Sequence, residues 1–216
     1  MALYQRPSVD EPVWRDVDGQ VIAYGQRWGD DGPPPESYER ESNIERFAPL
    51  HTVASELVRW LQATFDVNVV DDLEVTEDLN HPHPGAIRAI RFIPANPDAA
   101  RLTIVFTSYP GVLAHAGEFH EGHYPWCGCD ACDESFSEHA EALETFVMTV
   151  VEGRLSESVT ITDDGHTISY QTYEQGSPSE GGKSVSQEAP DPRTRAAAAR
   201  LNGHKQWLPW QPRDLG

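Results

Sequence analysis

The chain has 216 residues, and its 35 acidic against 16 basic side chains give a formal net charge of −19 at pH 7. This balance argues against a nucleic-acid binder that neutralises phosphates and against binding to an anionic membrane surface. No apolar run approaches the roughly 18 residues of a membrane-spanning helix. The first residues also lack the apolar stretch of a secretory signal, so we expect a cytoplasmic protein.

The first predicted element is a hairpin that joins Val13–Val17 to Gln20–Tyr24 through Asp18-Gly19. From Pro49 to Phe65, apolar residues recur every three or four positions, which predicts an amphipathic helix. Short apolar segments then predict four strands, at residues 67–70, 86–93, 102–107 and 112–116.

A second helical pattern begins at Phe136 and ends near Gly153. A last hairpin is predicted between residues 158–161 and 167–173. Together these elements predict an α+β fold: a mostly antiparallel sheet of about six strands, with two main helices packed on one face and a flexible C-terminal tail.

Composition divides the chain into three parts. Residues 1–175 form a single acidic α+β domain. Residues 176–190, rich in Gly, Ser, Pro, Glu and Gln, are predicted to be a flexible linker because they bury too little apolar surface to offset chain entropy. Residues 191–216 are predicted to form a short helix and a tail that contains Trp207 and Trp210.

The strongest local signal is a cluster of cysteines at Cys127, Cys129 and Cys132. Three thiolates and one imidazole form a standard closed ligand set for tetrahedral zinc, and C-x-x-C is the usual knuckle spacing. We expect the fourth ligand to be His120 or His123, which precede the cysteines in a loop. Zinc is therefore the expected cofactor.

Other interpretations of the cluster stay open. Three reduced thiols can be small buried side chains that bind no metal. Cys129 and Cys132 could also form a redox pair, although Asp130, Asp133 and Glu134 are expected to raise the thiol pKa values by charge repulsion. An iron–sulfur cluster normally needs a fourth cysteine.

Aromatic residues provide a second set of candidates. Trp14, Tyr24 and Trp28 lie close to arginines in the N-terminal hairpin and could bind a ligand by stacking, although such residues more often belong to a core. Trp207 and Trp210 are costly to expose, so we expect them to contact either the acidic body or a partner.

The stretch from Val112 to Glu134 resembles a family of uncharacterised actinobacterial proteins, domain of unknown function family 6226. The resemblance depends most on Pro125-Trp-Cys-Gly-Cys-Asp-Ala-Cys-Asp-Glu134 and is weaker over Trp14–Trp28 and Glu45–Leu50. It covers most of residues 10–175 and implies no activity, cofactor or catalytic residue.

Two functions from different classes follow. In the first, the chain is a binding or interaction protein with a structural zinc site, whose partner is a protein with a basic surface. In the second, it is an enzyme, a hydrolase or a thiol redox protein, that uses a three-ligand zinc site or a reactive cysteine. The number of protein ligands around the ion discriminates between them.

Overall fold

The first sheet is an antiparallel meander of five strands whose order in space follows the chain. The computed structural model describes residues 3–214. Its first sheet consists of β1 (Val67–Asp71), β2 (Ala86–Pro94), β3 (Leu102–Thr107), β4 (Val112–Ala116) and β5 (His120–Tyr124). The four strands predicted from apolar segments are all present. The fifth, β5, replaces a predicted loop, because its polar residues pair through the backbone with β4.

Two helices cover one face of this sheet, as predicted. The first, α1 (Pro49–Thr64), has proline in its first turn, where the missing N–H costs nothing. The second, α2 (Phe136–Val151), begins at a capping box in which Ser135 and Glu138 each accept the other's backbone N–H. Apolar side chains from both helices meet the inner faces of β2, β3 and β4 in one continuous core.

The opposite face of the first sheet is only partly apolar. A short 3₁₀ helix, Leu73–Asp78, covers a small buried cluster that includes Val105 and Leu113. Polar residues occupy the rest of this face, among them Thr103 and His115, which are paired across β3 and β4.

The remaining strands form a second antiparallel sheet instead of extending the first. It consists of β6 (Leu155–Thr162), β7 (Gly165–Glu174), β8 (Ser177–Ser186) and β9 (His204–Gln206), in the order β8-β7-β6-β9. The helix α3 (Pro192–Leu201) packs against β6. The α+β class is therefore confirmed, whereas residues 3–214 contain nine strands in two sheets where one sheet of about six was expected.

The interval 176–190 needs correction, because it contains β8 where a linker was predicted. Residues of β8 pair with β7 from His166↔Ser186 to Glu174↔Ser177, although all of them are exposed or half-buried. Backbone hydrogen bonds to a neighbouring strand need no apolar side chain, so composition gives no sign of such a strand. The limits of the domains stay a prediction.

The two ends of the described chain lie against the body. The predicted N-terminal hairpin is reduced to one bridge, Arg15↔Val21, closed by a turn in which the Asp16 carboxylate accepts two backbone N–H bonds. At the other end, Trp210 packs against Phe65 and Phe92 in the main core. Among the described helices, none is long and apolar enough to cross a membrane.

Candidate metal centre

Three thiols converge in the loop between β5 and α2, here called the cysteine loop (residues 127–134). The Sγ atoms of Cys127, Cys129 and Cys132 all lie within 4.8 Å of one another, and those of Cys129 and Cys132 are 3.5 Å apart. In a tetrahedral zinc site with Zn–S bonds of about 2.3 Å, neighbouring sulfurs are about 3.8 Å apart. Cys129 is buried and the other two are exposed. Spacing and ligand chemistry are both compatible with a metal ion near the surface.

The cysteine loop is fixed from outside by the segment that precedes α1. The Asp130 carboxylate accepts hydrogen bonds from Ser42 N at 2.9 Å, Ser42 Oγ at 2.8 Å and Arg40 Nε at 2.8 Å. The Asp130 carbonyl accepts from Arg27 Nη2 at 2.6 Å and from Trp28 Nε1 at 3.2 Å. Although burial opposes ionisation of Asp130, the bonds from Ser42 and Arg40 lower its pKa. The residue between two of the cysteines is thereby anchored as a carboxylate.

The turn at Cys127 and Gly128 is fixed in the same way. Glu134 Oε2 accepts the backbone N–H groups of Cys127 at 3.2 Å and Gly128 at 2.8 Å. The buried Arg46 donates to the carbonyls of Gly128 and Glu134, both at 3.1 Å. Gly128 has a φ of +93°, and a Cβ atom there would lie 2.1 Å from the hydroxyl of Tyr109. This conformation needs glycine, and it is stabilised by bonds within the protein itself.

The acidic residues of the loop do not surround the thiols with unpaired charge. Asp133 forms an ion pair with Arg27 and also accepts the Arg27 backbone N–H. Asp130 is paired with Arg40, and Glu134 is bonded to two amides. Arginines and amides engage these carboxylates. The structure therefore does not support the expectation that charge repulsion from them raises the thiol pKa values.

The thiols differ in how readily they ionise. The pKa of Cys132 is raised to about 12, first by desolvation of its sulfur, although the residue as a whole is exposed, and then by the neighbouring sulfurs. Burial also opposes ionisation of Cys129, but the backbone amide of Cys132 and the neighbouring thiols outweigh it and lower the Cys129 pKa. A thiolate at Cys129 would be the first ligand available to a metal cation.

The two candidate histidines lie on opposite faces of β5. The buried His120 ring stacks on Phe146 at 4.4 Å between centroids, and burial is the main cause that lowers its pKa to about 4. His123 is half exposed, and its Nε2 lies 3.0 Å from Glu121 Oε1. In the described part of the chain, the group of converging ligand atoms contains neither imidazole. Their role as zinc ligands stays a prediction.

The predicted aromatic cluster supports the cysteine loop. The Arg27 guanidinium lies over the rings of Tyr24 and Trp28, 4.4 and 5.0 Å from their centroids. Arg46 lies over Tyr24 at 4.2 Å. Trp14, with Tyr24 and Arg46, lines a cavity of about 190 Å³. Stacking with arginine is therefore present within the chain, and binding of an outside ligand stays a prediction.

The predicted tryptophans near the C-terminus contact the body of the same chain. Trp207 and Trp210 are both buried. Trp207 Nε1 donates to Glu157 Oε2, and Trp210 Nε1 donates to the carbonyl of Ala100, both at 2.8 Å. Neither ring forms part of the exposed surface, which corrects the expectation that they contact a partner. The two rings instead contact the acidic body, which was the other expected location.

Sequence reasoning missed the residues that position the cysteine loop. Arg40, Ser42 and Arg46 lie more than 80 positions before the residues they bind. Local spacing contains no signal for contacts over such separations. The aromatic–arginine sequence from Tyr24 to Trp28 is the only part of this support that the sequence indicated.

Fold and site together define an α+β protein with a cysteine cluster suited to a metal ion. The model of a family of unknown function (DUF6226) matches residues 10–214. The chain belongs to this family, which the cysteine stretch had indicated, and the match extends beyond residue 175 to include β8, α3, β9 and the buried tryptophans. Comparisons with curated proteins and with solved structures found no match.

Proposed function

We propose that the protein binds one zinc ion through Cys127, Cys129 and Cys132, and that this ion has a structural role. The observation that carries the proposal is the convergence of the three sulfurs within 4.8 Å. Zinc would supply a cross-link between the end of β5 and the start of α2, and its binding free energy would add to the stability of the fold.

The prearranged loop supports this proposal. Asp130, Glu134 and Arg46 fix the backbone on both sides of Cys129 through contacts that involve no metal. A site whose ligands already face one point loses little conformational entropy on binding. Outer residues of this kind commonly change metal affinity 10- to 100-fold.

For the fourth ligand we propose His123 instead of His120. His123 lines a cavity of about 260 Å³ together with Cys127, whereas His120 lines a different, larger groove. His123 is half exposed and bonded only to Glu121 among the described residues, so little packing opposes its movement. His120 would have to leave its stack with Phe146.

A second candidate function has its own supporting observation. The converging group contains three thiols and no imidazole; two of the thiols are exposed, and one of these, Cys127, lines a cavity. An ion with three protein ligands keeps an open position for water or a substrate, as in catalytic zinc sites. Without a metal, Cys129 and Cys132 could serve as a redox pair.

Cobalt substitution tests the ligand set. We expect the untagged protein to bind one Co²⁺ with the intense absorption of a tetrahedral thiolate site, and C129S to lose that absorption. H123A should shift the spectrum and weaken binding at least about tenfold, whereas H120A and the exposed control H204A should leave both unchanged. An unchanged H123A spectrum would favour the open, three-ligand site. If Co²⁺ did not bind and all three thiols of the protein were reactive, both metal proposals would be contradicted.

The interaction role that we propose centres on an acidic groove. A cavity of about 830 Å³ runs along α2 and the second sheet and is lined by Glu138, Glu141, Glu144, Glu174 and Glu180. Its aromatic walls include Tyr124 and Trp126. Negative charge beside aromatic rings suits lysine or arginine side chains, so we propose a basic protein segment as the partner.

Charge reversal tests the groove. A short lysine-rich peptide should bind the wild type, and E141K should weaken that binding about tenfold or more. The variant E36K makes the same change in net charge at an exposed residue outside the groove lining and should bind almost as the wild type does. Equal weakening by both variants would indicate general attraction to an acidic protein and would contradict the groove as the binding site.

A further inference from the structure

A cluster of arginines occupies the opposite face of the first sheet, away from the main helices. Arg91, Arg101, Arg193 and Arg200 line one cavity of about 210 Å³, together with His115. Three carboxylates, Glu77, Asp78 and Glu118, line the same cavity, so its formal balance is one positive charge in a chain whose total is −19. The hydrogen bonds of the arginines decide which of them are free to bind a ligand.

Three of the four guanidinium groups are engaged within the protein. Arg91 Nη2 donates to Asp78 Oδ1 at 2.8 Å, and Arg193 donates to the carbonyls of Asp78 and Leu79. Arg200 forms a bidentate pair with Glu118, with its Nε at 2.6 Å from Glu118 Oε1.

Arg101 is different. Its side chain is half-buried, and it has no hydrogen-bond or ion-pair partner among residues 3–214. None of its nitrogens is among the fully buried, unsatisfied atoms of the described chain, so water solvates its five donors. An anion that enters the cavity therefore meets a guanidinium that no protein acceptor holds.

His115 is oriented beside this free guanidinium. The ring is buried, and its Nδ1 lies 3.3 Å from Glu121 Oε2. Glu121 also accepts the backbone N–H of Asn80 at 2.7 Å and is bonded to His123, so the carboxylate that orients His115 is itself held in place. Because this carboxylate accepts, Nδ1 is the ring nitrogen that donates, and Nε2 of the neutral ring is left as an acceptor for a ligand.

The floor of the cavity is rigid. Gly117 lines it at a φ of +64°, where a Cβ atom would lie 2.1 Å from Glu157 Oε2. The buried Glu157 carboxylate accepts the backbone N–H groups of Glu118 at 2.9 Å and Phe119 at 2.8 Å. The turn that carries Glu118 is therefore fixed before any ligand binds.

We propose that this cavity binds a phosphate-type oxyanion, with Arg101 as its main contact, Arg200 as a further donor and His115 Nε2 as an acceptor for a P–OH group. Arginine forks match the geometry of phosphate oxygens, and a volume of about 210 Å³ suits a single phosphate or the phosphate end of a larger molecule. Glu118 competes with the anion for Arg200. The site shares no residue with the cysteine loop.

Titration with inorganic phosphate and with phenyl phosphate, followed by calorimetry, tests the proposal. We expect saturable binding that R101A weakens about tenfold or more, as for loss of a charge-assisted hydrogen bond. The control R195A removes an exposed guanidinium that also has no hydrogen-bond or ion-pair partner among residues 3–214 and lies outside the cavity lining, and it should bind like the wild type. Tighter binding of phenyl phosphate than of phosphate would indicate a phosphomonoester as the natural ligand.

A second variant is expected to raise the phosphate affinity instead of lowering it. E118Q removes the competing negative charge, so phosphate should bind several-fold more tightly than to the wild type. Binding of both probes that is unchanged in R101A would overturn the proposal, as would the absence of saturable binding to the wild type. C129S should bind phosphate normally, which separates this site from the proposed zinc site.

Discussion

Two loops flank β5, and carboxylates fix both of them. The side chains that remain without partners, however, suit an anion beside the first loop and a cation in the second. Before β5, Glu157 accepts the backbone N–H groups of residues 118–120. After β5, Glu134 and Asp130 fix the cysteine loop. In each case a buried or half-buried carboxylate replaces the regular hydrogen bonds that a loop lacks.

The difference lies in the side chains that remain. Beside the first loop, the free group is the Arg101 guanidinium, which suits an anion. In the second, the free groups are three thiols, which suit a soft cation. The comparison teaches that, in an acidic protein, the carboxylates can serve mainly as internal acceptors while scarcer residue types define the binding sites.

The largest expected effect follows from Glu157→Gln. The carboxylate is buried and also accepts from Trp207 Nε1, and an amide offers only one acceptor oxygen to these donors. We expect a loss of about 3 kcal/mol in the free energy of unfolding, measured with urea in the presence of a chelator. The exposed control Glu36→Gln should change stability by less than about 0.5 kcal/mol. A loss below about 1 kcal/mol would show that Glu157 does not fix the first loop.

Asp130→Asn is the matching change in the second loop. It removes the ion pair with Arg40 and weakens the acceptor for Ser42, so we expect a loss of about 2 kcal/mol in metal-free unfolding. Zinc affinity, measured by competition with a chromogenic chelator, should fall about tenfold or more because the thiols lose their prearrangement. Glu157→Gln, at a temperature where it is folded, should leave zinc affinity unchanged. Equal losses of zinc affinity in the two variants would contradict the claim that only the second loop positions the thiols.

The pH dependence of stability sharpens the comparison at His120, where β5 begins. Burial lowers the His120 pKa to about 4, against an unfolded value of about 6.5. Between these values the unfolded chain binds a proton that the folded protein excludes, so stability falls as pH falls. We expect His120 to contribute a slope of about 1.4 kcal/mol per pH unit in this window.

His120→Phe tests that slope, because phenylalanine keeps the stack on Phe146 and cannot be protonated. Its unfolding free energy should depend less steeply on pH between about 6.5 and 4 than that of the wild type. Below about pH 4 the difference should stay constant. An identical slope in the two proteins would show that His120 titrates normally in the folded state.

The smallest effect is expected from Trp28→Phe. The variant keeps a ring beneath Arg27 but loses the hydrogen bond from Nε1 to the Asp130 carbonyl. We expect a loss of about 1 kcal/mol in chemical unfolding and a small decrease in zinc affinity. A loss as large as that of Asp130→Asn would mean that stacking, and not the carboxylate, fixes the cysteine loop.

Apolar periodicity predicted the parts of the fold that are stabilised by burial. The helices α1 and α2 and the strands β2 and β3 all follow from their apolar residues, and all contribute to the main core. The strands β5 and β8 were missed because backbone pairing forms them from polar or glycine-rich sequence. No count of apolar residues detects a strand of that kind.

The candidate site was predictable to the extent that it is local. The cysteines lie within six residues, so their spacing was visible in the sequence. The histidines were placed beside them on the expectation of a loop, whereas in a strand two residues three positions apart face opposite sides. Arg101 was not a candidate, since its lack of a partner is a property of the folded protein alone.

The most direct measurement is the metal content of untagged protein, determined by native mass spectrometry together with elemental analysis and thiol titration. We predict one zinc per chain and thiols that react only after a chelator is added, with the metal absent in C129S. A wild-type protein without metal, in which all three thiols react at once and added zinc does not bind, would contradict the proposed metal centre.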